Sequence, residues 1–412
     1  MTAGASLKGG FFSIDARIWA KAITLGMNEA VAYLVHACGT GRNNEDTSWS
    51  TNAVMKYAGI GHIRAKLAIE RLIAGGFTRF AEKHTASNPR YRLATILELT
   101  DHEASENTSS VTDYLELKLL ADMEAGKQPR GKSGQALAGR LCSRGLLCRD
   151  AQGIYRLPEP FPEDSGNNLI WLPNTIVTGT KSGEASPVRR LRSAGCVWTL
   201  RLFVDLYSSQ NLRDDGGISR CLIWQVYERQ RIGQQGPYTI LGFKPDQRTR
   251  AFAGPFVAHE IRQRAKPEGN SPVWESLNLL ESLGLLSFVP YIFENDTDVA
   301  EPIHVYGVGG TAEAPIEREI GAAADCSARA MALPAKLEEA EGAGFEYFCP
   351  VLRTMPGAQM VGVARLTYRP RTRRTKAWFA ELQLTAQVWI KLFRELAAKG
   401  EESSSQRAAN FF

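Results

Sequence analysis

The sequence predicts an α+β chain, mainly helical, built of tandem winged helix-turn-helix modules that close with small β-hairpin wings. Three observations carry this. A leucine, three residues, a glycine and an apolar residue recur as Leu72, Gly76 and Phe77, as Leu141, Gly145 and Leu146, and as Leu280, Gly284 and Leu285. Each instance follows an amphipathic helical pattern, so its glycine falls where a helix end takes a left-handed residue and the chain leaves as a strand. Before the first instance, two helical patterns meet at Gly59-Ile60-Gly61, the short glycine turn of a helix-turn-helix. After it, two β-like runs flank Ser87-Asn88-Pro89, which makes a hairpin.

The elements of the first module, residues 1–100, follow in order. Asn28 can cap a helix whose apolar face is Val31, Leu34, Val35 and Cys38, and Gly39 stops it. A polar loop leads to Ser50, which caps a second helix through Ala58. A third helix from His62 to Ala74 is expected to bury Ile63, Leu67, Ile69, Leu72 and Ile73. The runs Phe77–Ala81 and Arg90–Thr95 form the wing strands.

The stretch TSWSTNAVMKYAGIGHIRAKLAIERLIAGGF resembles the winged helix-turn-helix domains of plasmid and phage replication initiators and related regulators. Those run a Trp and a Ser into the second helix, then a glycine-hydrophobic turn, then a recognition helix closing on L-x-x-x-G. The resemblance covers residues 25–95. It implies a bacterial or mobile-element protein that binds double-stranded DNA, as a replication initiator or as a transcriptional regulator with the same readout. Tandem modules reading adjacent half-sites, or a homodimer, fit that reading.

A shorter module is expected over residues 110–158, with helices from Thr112 to Ala125 and from Gln135 to Arg144 and a hairpin turning at Asp150–Gly153. Pro158, Pro160 and Pro162 then break the chain, which places a boundary there. Residues 186–308 read as a third module. Ser186-Pro187 opens a helix, Val197–Gln210 and Arg220–Arg231 continue as helices, and 232–270 are an insertion. Ser271-Pro272 starts a helix to Leu283, followed by two wing strands. The Gly-, Ala- and Glu-rich segment 309–327 reads as a linker, 328–400 as an α+β piece, and 401–412 as a disordered tail.

Catalytic motifs fail on context. Gly126 to Ser133 matches the phosphate-binding pattern G-x-x-x-x-G-K-S, but that loop must follow a buried strand, and the preceding TDYLELKLLADMEA is amphipathic with a helical period. His259 to Arg262 matches the H-x-x-R of tyrosine recombinases, yet His304 and Tyr306 stand two apart on an expected strand, too close for the second catalytic pair. The seven cysteines are scattered and form no C-x-x-C pair, which favours neither a disulfide framework nor a zinc site. No cofactor, metal or catalytic residue is nominated, and a non-enzymatic protein is expected. With no stretch of about 18 apolar residues, a cytoplasmic protein without a membrane partner is expected.

What remains is charge on surfaces. The net charge of +5 is mild, but residues 125–149 and 365–376 each hold six cations and no acid, a distribution that favours a polyanion. His62, Arg64, Lys66 and Arg71 are the candidate base-reading residues on the third helix. Lys83 and Arg90, with His84, are candidate wing contacts, and Lys132 lies in the first basic window. Arg365, Arg369, Arg371, Arg373, Arg374 and Lys376, interleaved with Tyr368 and Trp378, are candidate phosphate contacts. A module that binds a protein partner is the alternative from another class.

Overall fold

The computed structural model describes residues 10–41, 44–85, 87–109, 118–119, 122–123, 127–143, 148–149, 154–156, 168–180, 185–212, 216–220, 222–251, 272–297, 299–307, 315–369 and 372–409. Helices and antiparallel strands are mixed, in keeping with the α+β class. The chain divides into two compact units, Phe12–Ile170 and Trp171–Phe412, the latter taking in residues 9–11. The expected break at Pro158–Pro162 and the turn at Asp150–Gly153 lie outside the described residues.

In the first unit α1 (Ala16–Ala22) is capped by Asp15, whose carboxylate accepts from the Arg17 N–H at 2.8 Å. Helix α2 (Met27–Cys38) follows, capped by Gly26 at φ +129° rather than by Asn28. Ten of its twelve residues are buried, from Glu29 to Cys38, so α2 is the central rod of the unit. Gly39 ends it. A Cβ there would meet the Trp49 ring at 2.4 Å, so glycine is required by close approach. Then come β1 (Asp46–Thr47), α3 (Thr51–Ala58), α4 (His62–Ala74), β2 (Thr78–Phe80) and β3 (Tyr91–Leu93). Gly59 is left-handed at φ +66° and ends α3, as the glycine turn demands. The three strands form an antiparallel sheet in the order β1-β3-β2, with Thr47 opposite Tyr91 and Phe80 opposite Tyr91 from the other side.

Helix α5 (Ile96–Ser109) opens on a capping box. The Thr95 N–H donates to Glu98 Oε2 at 2.9 Å, and the Glu98 N–H donates to Thr95 Oγ1 at 3.3 Å. Farther on, α6 (Gly131–Ser143) precedes the short hairpin β4 (Cys148–Arg149) and β5 (Tyr155–Arg156). A small core of Met123, Ala138 and Leu141 sits beneath it. Of the helix expected from Thr112 to Ala125, residues 118–119 and 122–123 are helical and the rest lie outside the described residues.

In the second unit the short helix Thr175–Thr178 precedes α7 (Pro187–Ala194), whose Ser186 Oγ accepts from the Arg189 N–H, and α8 (Val197–Asp205). Its body is one antiparallel sheet of six strands: β6 (Ile223–Gln235), β7 (Tyr238–Ala251), β8 (Leu286–Phe293), β9 (Pro302–Val305), β10 (Tyr347–Leu352) and β11 (Gln359–Leu366). Their spatial order is β9-β8-β11-β6-β7-β10. Helix α9 (Pro272–Ser282) leads into β8, α10 (Pro315–Met331) and α11 (Pro334–Gly342) lie between β9 and β10, and α12 (Arg373–Ala409) ends the described chain.

Four expectations are corrected here. Arg220–Arg231 is no helix, and 232–251 is no insertion. Ile223–Gln235 and Tyr238–Ala251 are the two arms of a long hairpin turning at Gly236-Pro237, and 252–270 lie outside the described residues. The reading failed because register shifts at Gln225/Tyr227 and Arg231/Gly233 interrupt the period of two, so the buried Tyr227 and Ile232 do not alternate cleanly. Second, residues 315–327 of the supposed linker are helical. Ile320, Ala324, Ala328 and Met331 recur at helical spacing and are buried, and the small residues that suggested a linker let α10 pack on α12. Third, the modules drawn as 186–308 and 328–400 are one sheet, because β8 pairs with β11 from Leu286↔Leu366 to Phe293↔Gln359. Fourth, 401–409 of the expected tail continue α12.

Candidate nucleic-acid interface

The first surface belongs to α4. Its core side is Ala65, Ala68, Ile69 and Leu72. His62, Arg64 and Lys66 stand on the exposed side, as expected. Lys66 Nζ lies 3.8 Å from Glu70 Oε1, with both side chains more than half exposed. Such a pair is worth about 0.3–0.5 kcal/mol and is readily given up to another anion. Ile63 and Leu67, expected in the core, are instead 81% and 44% exposed. They point away because α2 covers only one side of α4.

Arg71 is corrected. Its Nη1 donates to Glu29 Oε1 at 2.8 Å, and the Glu29 side chain is only 6% exposed. A buried carboxylate on α2 needs a cation, so Arg71 ties α4 to α2. Arg71→Ala should therefore cost about 1–2 kcal/mol of stability in urea denaturation while leaving any base preference of the surface unchanged. A change in preference without loss of stability would make Arg71 a binding residue rather than a tie between the helices.

The hairpin β2–β3, the expected wing, holds the second group. Lys83 and Arg90 are exposed. His84 is not an outward contact, because its Nδ1 accepts the Arg90 N–H at 3.1 Å and its ring packs 4.2 Å from Phe80 and 5.5 Å from Tyr91. The base of the hairpin is further fixed by Glu98, which pairs with Arg92 and with Arg79. Burial acts to raise the Glu98 pKa, but the Thr95 N–H and the two guanidinium groups outweigh it and hold the carboxylate below its usual range. Beneath the hairpin, Tyr91 stacks on His36 at 4.9 Å. Burial pushes the His36 pKa down to about 4, and neither of its ring nitrogens has a hydrogen-bond partner among the described residues.

In the first basic window Lys132 is exposed near the start of α6. The surrounding segment is anchored rather than open. Lys127 Nζ pairs with Asp122 at 3.0 Å, and the Gln128 side chain both donates to the Tyr155 carbonyl and accepts its N–H. Residues 118–119 and 122–123 are helical where a phosphate-binding loop needs a strand.

The second window does not stay together. Arg365 is corrected outright: its side chain is 1% exposed, paired with Glu317 at 2.7 Å and bonded to the Gly216 carbonyl and the Tyr291 hydroxyl. The clue lay in its setting, the last-but-one residue of an apolar strand, where a cation must be paired. Arg369 is corrected too. Its guanidinium lies over the adjoining rings of Trp378 and Phe379, 5.4 Å from each, and burial lowers its pKa to about 10. Arg371 lies outside the described residues. Arg373, Arg374 and Lys376 are exposed on the first turn of α12, where like charge opposes the helix dipole.

His304 and Tyr306 are core side chains. His304 packs on Trp389 and Phe393 with the Cys349 sulfur 3.7 Å from Nε2, and the Tyr306 hydroxyl donates to the Phe348 carbonyl. Among the described residues no cluster of three His, Cys, Asp or Glu is placed to hold a metal ion. No described helix is long and apolar enough to cross a membrane. Comparisons of the chain with protein-family models, with curated proteins and with solved structures find no match.

Proposed function

We propose that residues 27–93 form a winged helix-turn-helix that binds double-stranded DNA sequence-specifically, with α4 in the major groove and the wing against the backbone, in a protein of the replication-initiator kind. One observation carries the DNA reading. The element order α2-β1-α3-α4-β2-β3, with strands ordered β1-β3-β2, turns one side of α4 outward beside a wing, and both carry exposed cations. Cations so placed contact phosphates while the helix face reaches base edges. The initiator role rests on the resemblance of Thr47–Phe77 alone.

The reading moves Arg64 and Lys66 from the base-reading set to the phosphates, and uses them with Lys83 and Arg90 as phosphate contacts. With four of them, log K against log salt should fall with a slope near −3.6 (about −0.9 per phosphate), measured by fluorescence anisotropy on a duplex selected from a random pool. A flat dependence overturns the reading. Footprinting across the source genome tests the role, since protected repeats at a replication origin support initiation and protected promoters support the regulator instead.

A further inference from the structure

The exposed side of α4 carries Ile63 and Leu67 at its middle, with Glu70 beside them a turn on, and cations at its edges. The buried residues Ala65, Ala68, Ile69 and Leu72 fix the core direction. At about 100° per residue, Ile63 and Leu67 fall nearly opposite that direction, with Arg64 on one flank and His62 and Lys66 on the other. A helix that faces only water carries polar residues at this position. Here a β-branched isoleucine is 81% exposed, and a leucine one turn on is 44% exposed.

A major groove presents the matching pattern. Phosphates border it, and its one apolar feature is the C5-methyl group of thymine, which apolar side chains contact. We propose that Ile63 and Leu67 are specificity-determining residues that read thymine methyl groups, while Arg64 and Lys66 meet the flanking phosphates. The spacing suits the task. Four residues advance about 6 Å along a helix, close to two base-pair steps, so the side chains of a helix lying along the groove meet methyls two steps apart. The inference rests on the DNA-binding reading above and names what that site recognises.

Deoxyuridine tests it, because replacing thymidine removes the methyl group and keeps the O4 acceptor and the pairing. The full chain selects duplexes from a random pool, and the best is remade with deoxyuridine at one position at a time. One or two positions should lose affinity by about fourfold each, the worth of one buried methyl. Ile63→Asn or Leu67→Gln, both at exposed positions, should abolish that difference at the matching position. If every deoxyuridine duplex binds as tightly as its parent, the inference fails and DNA binding stands. Failure to enrich any duplex removes both. Equal loss on thymine and uracil duplexes in Ile63→Asn, or a change of oligomeric state in that variant, would assign the face to another role and overturn the inference.

Discussion

Replacing Arg365 with methionine should lower the stability of the second unit by about 3–5 kcal/mol, the cost of leaving one member of a buried ion pair alone. Arg365 holds three separate elements. Its Nη1 meets Glu317 of α10 at 2.7 Å, its Nη2 meets the Tyr291 hydroxyl of β8, and its Nε meets the Gly216 carbonyl. The Glu317 side chain is fully buried, so removing the guanidinium strands a carboxylate in the core. The double variant Arg365→Met with Glu317→Gln should recover much of the loss, because no buried charge is left unpaired. Urea denaturation of wild type, single and double variants measures it. A single-variant loss below about 1 kcal/mol, the range of a surface pair, would restore Arg365 to the surface. Duplex affinity of the folded single variant should be unchanged, since Arg365 touches no solvent-facing ligand.

Acidification should destabilise the first unit through His36 by about 3 kcal/mol, the free-energy equivalent of its displaced pKa. Burial holds the folded-state value at about 4, against an ordinary 6.5. Between those values the unfolded chain takes up a proton that the folded chain refuses. The stabilising contribution is therefore whole above pH 6.5, is lost progressively as the pH falls to about 4, and changes no further below that. Carboxylates titrate in part of the same range, so the measurement is a difference. The pH dependence of wild type less that of His36→Phe, each from urea denaturation, isolates the imidazole. Phenylalanine keeps the stacking on Tyr91 and removes two unpartnered ring nitrogens, so the variant should be at least as stable at neutral pH. Parallel curves for the two proteins would sink the prediction. His304 in the second unit, also held at about 4 by burial, gives the same sign there.

The parts of the fold that were legible in the sequence are those set by neighbours along the chain. Gly39 and Gly59 stop helices where the pattern puts them, Ser186-Pro187 starts one, and the runs around Ser87-Asn88-Pro89 pair as a hairpin. Each depends on a left-handed turn, a cap or a local pairing, and the residues responsible sit within a few positions of one another. The long hairpin β6–β7 escaped because its bulges break the alternation that marks a strand. The helix α10 escaped because small residues suit both a linker and a close helix contact.

The candidate site divides along the same line. By itself, the sequence determined that the first unit carries a helix with Arg64 and Lys66 at its start and a hairpin with Lys83 and Arg90, since these follow from period and turn chemistry. Only the tertiary structure decided which cations a carboxylate of the fold claims. Arg71 and Glu29 are 42 residues apart, and Arg365 and Glu317 are 48 apart. A linear cluster of arginines does not reveal whether a distant carboxylate claims one of them. The same holds for Ile63 and Leu67, whose apolar character fits a core position until packing shows that α2 covers the other side of the helix. Charge and hydrophobicity belong to a residue, but pairing and burial are long-range, and they separate a binding surface from a structural contact.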